Sequence, residues 1–244
     1  MEILVSRNQL VIPGEVLARG RGDVKAGGGV YRRKRNDMIE VCASMVGLAQ
    51  IRRNRVEIVP QRGGYIPLEG DIVIGKIIRV GITSWNVDIR GPYVGTLRVG
   101  NVIERDFDSL RESLDRILQV GDIIKAEIMY FDRTRDPMLT MLGRGLRKIT
   151  SGKMIEVSPV KVPRIIGKKG SMIQLLKNMT GGKLLVGQNG RIIISANDTG
   201  TELILERAVK KIAAEAHTTG LTDRIHDFLE TEMSRDMERS DTNE

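Results

Sequence analysis

The residues with the clearest chemistry in this chain are Gly167, Lys168, Lys169 and Gly170. Glycine at both ends of a short turn removes the side chains that would hold a backbone away from a phosphate strand. The helix predicted to begin near Ser171 presents unpaired N–H groups and the positive end of its dipole. Lys168 and Lys169 add two mobile positive charges, and Ile165, Ile166 and Ile173 can supply part of a groove wall for unstacked bases. The chemistry on offer is capture of a phosphate-linked polymer. A plain corner between two helices, carrying exposed lysines, is the other reading of the same residues.

Bond-making chemistry has little to work with. Two histidines (His217, His226) and one cysteine (Cys42) give no zinc-type cluster and no Cys/His dyad at interpretable spacing, and the 31 carboxylates are expected to be mostly solvated surface. No enzyme activity, cofactor or metal is therefore expected. Cys42 alone cannot form an intramolecular disulfide, and MEILVSRNQLVIPGE has neither the basic start nor the apolar core of a signal peptide, so a cytoplasmic location is expected. The most apolar stretch, 72–82, is interrupted by Gly75, Lys76, Arg79 and Gly81, so no membrane span is expected.

The elements that must position the loop are marked on either side of it. Strand patterns at 154–162, 183–186 and 191–195 alternate with helical ones. Met172, Leu175, Leu176 and Met179 form one apolar stripe, and Ile204, Leu205, Ala208, Val209, Ile212, Ala213 and Ala216 form another. Gly181-Gly182 and Gly187–Gly190 read as turns. Charge is distributed to match. The chain carries +8 overall with pI near 9.7, made of +6 in residues 1–66, +1 in 67–150, +6 in 151–220 and −5 in 221–244. A polyanion is the expected partner, and the acidic end should face away from it.

Upstream lie two β-rich stretches. Residues 1–66 alternate short Val/Ile strands with glycine turns. Gly27-Gly28-Gly29 lacks the Lys-Ser/Thr of a phosphate-binding loop, and Arg32-Arg33-Lys34-Arg35 reads either as a solvated turn or as a docking patch for an acidic surface. From Gly70 to about Gly143, five strand patterns (72–80, 85–89, 93–99, 123–131, 138–141) fit a five-stranded OB-fold barrel, with Trp85, Val87 and Ile89 on one face and Asn86, Asp88 and Arg90 on the other. Trp85 lies in the apolar phase and is expected in the core. Tyr93 is open between packing and base stacking, while Arg79, Arg90, Arg98, Arg133 and Arg135 can contact phosphate or stack on bases.

Two resemblances follow from these residues. GDIVIGKIIRV, WNVDIRGPYVGTLRVGNV and GDIIKAEIMYFDRTRDPMLTMLG resemble the S-one-type RNA-binding domain, an OB-fold, which implies a single-stranded RNA face on its second and third strands. Asn86 and Arg98 stand where such domains commonly expose an aromatic or histidine. IIGKKGSMIQLL resembles the signature of the KH domain, a βααββα RNA-binding module whose GXXG loop joins two helices. Such a loop engages about four nucleotides, so raising salt from about 50 to 200 mM should weaken it roughly 50-fold.

The order β domain, S-one-type barrel, KH domain, with the opening VIPGE, resembles the RNA-binding cap subunits of the archaeal-type exosome. That implies a multidomain β plus α/β protein: an N-terminal β domain (1–66) docking on a ring, an OB-fold RNA-binding domain (67–148), a KH RNA-binding domain (149–220) and an acidic helical tail (221–244) that frays near Ser240. It also implies a non-catalytic subunit. Three copies, or copies mixed with a related cap subunit, would guide single-stranded RNA into a hexameric phosphorolytic ring for 3′-to-5′ degradation. The RNA-binding residues would be Arg164, Ile165, Ile166, Gly167, Lys168, Lys169, Gly170 and Ser171, with Arg79, Tyr93, Arg98, Arg133 and Arg135 on the barrel. A transcription elongation or antitermination factor is the alternative, although such proteins usually carry a second KH copy. The glycine loop, being exposed, is expected to tolerate Gly167→Asp with Lys168→Ala and Lys169→Ala without unfolding.

Overall fold

The computed structural model describes residues 2–7, 9–20, 25–35, 38–52, 55–60, 64–104, 113–132, 134–216 and 218–241, with side chains of 25, 26, 52, 60 and 236–241 left aside. The chain forms two compact units, Met1–Gly63 and Gly64–Glu244.

The first unit is two small four-stranded sheets. One runs in the order β1 (Glu2–Ile3), β3 (Val16–Gly20), β6 (Met38–Ala43), β5 (Val30–Arg35); the other in the order β2 (Leu10–Val11), β7 (Gly47–Arg52), β8 (Arg55–Pro60), β4 (Lys25–Ala26). Its core holds Val11, Leu17, Val41, Ala49, Val56 and Ile58. The run Arg32–Arg35 is not a turn but most of β5, paired along its length with β6. Glu40 explains how so basic a strand is held: it is buried, and it accepts from Arg19 and Arg33, its direct neighbours on the flanking strands. Hydrogen bonding from Arg33, with the charges of Arg33, Arg19 and Arg35, outweighs burial and keeps the Glu40 carboxyl below its ordinary pKa.

In the second unit the barrel comprises β9 (Ile72–Val80), β10 (Ser84–Asp88), β11 (Val94–Arg98), β12 (Ile123–Tyr130) and β13 (Met138–Thr140). β13 pairs with both β11 and β12 and so closes the sheet. Each expected strand is present within one or two residues at either end. Strict alternation puts Trp85, Val87, Leu97, Ile124, Ala126, Ile128 and Leu139 inside, and Leu114 and Leu118 join the same core. Trp85 is fully buried and donates its indole N–H to the Leu118 carbonyl at 2.9 Å, so it packs and is not available to bases.

Strand β14 (Arg147–Ile149) extends the barrel sheet by pairing with β12 across the expected boundary at 148/149. There follow β15 (Lys153–Glu156), α1 (Val162–Ile166), α2 (Ser171–Thr180), β16 (Lys183–Val186), β17 (Arg191–Ser195) and α3 (Thr199–Ala214), a β-α-α-β-β-α order with the sheet arranged β15-β17-β16. Last comes α4 (Leu221–Asp241). Residues 221–235, the start of the expected acidic helical tail, pack onto this module. Leu221, Ile225 and Leu229 are buried in the same core as Leu176, Leu184, Ile194, Val209 and Ile212, each worth about 1.5–3 kcal/mol of apolar burial. Asp223, Asp227 and Glu230 face solvent, whereas Glu232, half-buried, pairs with Arg207 of α3 at 2.8 Å.

Barrel and helical module belong to one unit because a buried polar cluster joins them. The turn between β16 and β17 inserts Asn189, fully buried, whose side-chain amide accepts from Ile74 N and donates to the carbonyls of Ile74 (2.8 Å) and Ile89 (2.9 Å). Beside it Arg191 donates to the Asp88 carboxylate at 2.5 Å, the Asp88 carbonyl at 2.7 Å and Glu156 at 3.1 Å. Burial works against an ionised Asp88, but the Arg191 hydrogen bond, the Arg90 N–H and the Arg191 charge hold its pKa below the ordinary value.

Candidate nucleic-acid interface

The glycine loop is shaped by backbone. Helix α1 ends as Gly167 turns to φ 75°, Lys169 follows at φ 54° and Gly170 at φ 82°, so three of four residues sit in the left-handed half of backbone space. The two glycines serve different ends. A Cβ on Gly167 would lie 2.6 Å from the Met172 nitrogen and 2.8 Å from its Cβ, so this glycine lets the start of α2 pack under the loop. A Cβ on Gly170 would meet nothing within 4 Å, so only there does the missing side chain leave room for a ligand. A side chain at Gly167, as in the Gly167→Asp replacement expected to leave the chain folded, would therefore press on the start of α2 and carry a steric cost.

Lys168, Lys169, Arg164 and Ser171 are exposed. No side chain caps α2, whereas Asp198 caps α3 by accepting from Thr201 N at 2.6 Å. An anion at the loop would therefore meet two ammonium groups and first-turn N–H groups that no side chain already serves. Ile165 was expected to face bases and does not: it is fully buried in the core and supports the loop from beneath. Ile166 remains, lining a mostly apolar pocket of about 330 Å³ with Pro159, Val162, Pro163, Gly167 and Gln188. A second pocket, about 640 Å³, opens on the other flank between Arg164, Lys168 and Ser171 and the turn that leads into α4. The loop thus stands between an apolar groove and a polar one.

On the barrel, register places Arg79 beside Asn86 and Asn86 beside Thr96, with Arg98 opposite Ser84 in the next position. All are outward, and Arg79 and Arg98 are exposed. The other end of this face is covered, since Asp88 is taken by Arg191. Arg90 is also withdrawn from any polyanion: its guanidinium bonds the Val157 carbonyl and pairs with Glu156 at 3.2 Å. Tyr93 is half-buried, its ring edge-on to Phe131 with centroids 4.8 Å apart, so it packs against the barrel. Arg135 is exposed on the loop before β13; Arg133 lies outside the described residues.

The exposed aromatic here is one that sequence reasoning passed over, Tyr130 at the end of β12, 45% exposed. Its hydroxyl donates to Asp132 at 2.9 Å, and Asp132 also accepts from the hydroxyl and N–H of Thr134 and from the N–H of Arg135. The Thr134 donors and Tyr130 pull the Asp132 carboxyl down to about 2, which keeps this loop tied at any ordinary pH. Position 130 follows the strand's outward phase only because β12 irregularly shifts register between Ile128 and Tyr130, a feature alternation does not announce.

A closed OB-type barrel fused through buried polar contacts to a β-α-α-β-β-α module with a cationic glycine loop defines a class: modular folds of the kind that receive single-stranded polyanions. Comparison with known proteins narrows the class. The family model described as RRP4, S1 domain matches residues 64–130. A protein of Thermofilum pendens named Exosome complex component Rrp4 is 44% identical over 230 residues, 93% of this chain and 95% of that one. The protein of the same name from Thermococcus kodakarensis is 38% identical over 235 residues, 93% and 87% of the two chains. A crystal structure described as an exosome complex RNA-binding protein superposes with TM-score 0.66 at 45% identity, covering 70% of this chain and 98% of that one. This chain belongs to the Rrp4 family of exosome complex components.

Proposed function

We propose that this chain is a non-catalytic RNA-binding cap subunit of an exosome. In this reading it holds single-stranded RNA at the glycine loop and across the Arg79–Arg98 side of the barrel, and passes 3′ ends to a hexameric phosphorolytic ring. The observation that carries it is the loop itself: two exposed lysines on a left-handed backbone beside an uncapped helix, fixed to an OB-type barrel within one unit. We read the β-α-α-β-β-α module as a KH domain on the same ground. Single-strand recognition by such modules combines backbone clamping with base contacts in an adjoining groove, and both surfaces are present. Full-length relatives named as exosome components favour this over a transcription elongation or antitermination factor.

The test is reconstitution. Added to a phosphorolytic ring, the chain should copurify with it and accelerate shortening of a single-stranded RNA, and Lys168→Ala with Lys169→Ala should remove much of that acceleration while leaving copurification intact. Shortening by the chain alone, or copurification with RNA polymerase in place of the ring, would overturn the reading.

A further inference from the structure

The three-stranded sheet of the helical module has two faces, and only one is used by the helices. Ile155, Leu184, Ile192 and Ile194 point into the helical core, which leaves Met154, Leu185, Ile193, Lys183 and Ser195 on the other side by alternation. That second face is partly covered by the segment running from the end of β14 to β15. Between them lies a pocket of about 340 Å³ that shares no residue with the two grooves flanking the glycine loop.

Its lining combines three kinds of group. Leu185 and Ile193 form an apolar floor. Thr150, Ser151 and Ser195 contribute hydroxyls that make no side-chain hydrogen bond among the described residues. Arg147 and Lys183, both exposed, stand on the rim without an ion-pair partner among the described residues, whereas the neighbouring Lys148 is committed to Asp122 at 2.5 Å. A simple inorganic anion would use the cations but would leave the apolar floor idle. A nucleotide uses all three: phosphate on the cations, ribose hydroxyl on the side-chain hydroxyls, base against the floor.

We propose that this pocket is a second RNA subsite, taking a nucleotide of the same strand that the glycine loop grips; the inference rests on the RNA-binding reading above. The route is short. Helix α2 spans ten residues between the loop and the turn before Lys183, about 15 Å of rise, and β16 is the edge strand around which a chain can pass to the outer face.

Two oligouridines test it on the full chain, one of about four nucleotides, enough for the loop, and one of about 16. For Arg147→Ala with Lys183→Ala, binding of the short oligomer should match the unsubstituted chain. For the long one, the loss of affinity between about 50 and 200 mM salt should be about 7-fold smaller, the share of two phosphates at a slope near −0.7 each. Photo-crosslinks from thiouridine in the long oligomer should fall within 147–151 or 183–195. Equal salt dependence of the long oligomer in variant and unsubstituted chain, or crosslinks confined to the loop and barrel, would overturn the subsite and leave the broader reading standing. Failure of the unsubstituted chain to bind either oligomer would overturn both. Lys183→Glu, again at an exposed position, should weaken the long oligomer further and serves as the independent variant.

Discussion

At the glycine loop the binding groups are carried by the backbone: left-handed residues, an uncapped helix end and two lysines that need only stay close. On the outer face of the barrel they are the tips of Arg79, Arg98 and Arg135, long side chains on a regular sheet, with Tyr93 turned against Phe131 and Asp88 and Arg90 drawn into the junction. The loop is preorganised and intolerant, the barrel face adaptable and replaceable. Binding energy lost to ordering long side chains is about 0.5–1.5 kcal/mol per group, a cost that Lys168 and Lys169 share but the backbone N–H groups of the loop do not.

The largest test of this contrast strikes what holds the two regions together. Asn189→Ala would leave the N–H of Ile74 and the carbonyl of Ile89 buried without that partner, while the Ile74 carbonyl keeps Arg191 at 3.5 Å, a loss of about 2–6 kcal/mol given about 1–3 per orphaned group. Urea unfolding should show the lower midpoint. A near-neutral result would mean that the junction is wet, and that loop and barrel act as separate bodies.

Within the loop, the two glycines should separate. Gly167→Ala meets both a positive φ and the start of α2, so about 2–3 kcal/mol of stability should be lost, together with RNA binding. Gly170→Ala meets only the φ penalty, about 1–2 kcal/mol, and the fold should survive. If thermal melts rank them the other way, the loop is not seated on Met172 as described.

These positions also show what could be seen in advance. The barrel strands were legible because one wet face and one dry face force a two-residue alternation, and the helices because their stripes recur every three to four residues. The apolar positions Leu221, Ile225, Phe228 and Leu229 recur at helical spacing, and the acidic helical tail expected there keeps Asp223, Asp227 and Glu230 on the side away from the core. The junction could not be read. Asn189 between glycines has the chemistry of any turn, and nothing local tells that its amide meets backbone 115 residues away. The same holds for Ile165, whose place in the motif suggested a groove wall and whose side chain points inward.

Affinity distinguishes the surfaces at a finer scale. Lys168→Ala with Lys169→Ala removes two charges aimed at one clamped segment, and the affinity lost on raising salt from about 50 to 200 mM should shrink by about 7-fold. Arg79→Ala with Arg98→Ala should shrink it by no more than one phosphate's share, about 2.6-fold, because independent side chains can be replaced by neighbours such as Arg135. A gel-shift titration at several salt concentrations reads both. Equal or inverted effects would make the barrel the principal grip.

The smallest effect concerns how exposed contacts differ from the buried junction. Glu206 on α3 accepts from Lys153 and Lys210, each at 2.6 Å, and those two hydrogen bonds bring its carboxyl down to about 2. A carboxyl whose folded pKa lies below its unfolded value adds stability that is complete above about 4.5 and is lost as pH falls toward 2. Both lysines are about half exposed or more, so solvent screening reduces the worth of the pair to a few tenths of a kcal/mol. Glu206→Gln should therefore lower the urea midpoint slightly at pH 7, and the two proteins should converge as the pH approaches 2. A large loss at pH 7 would show that the strap from β15 to α3 is as structural as Asn189, and the distinction between a buried clamp and a surface one would no longer hold for this module.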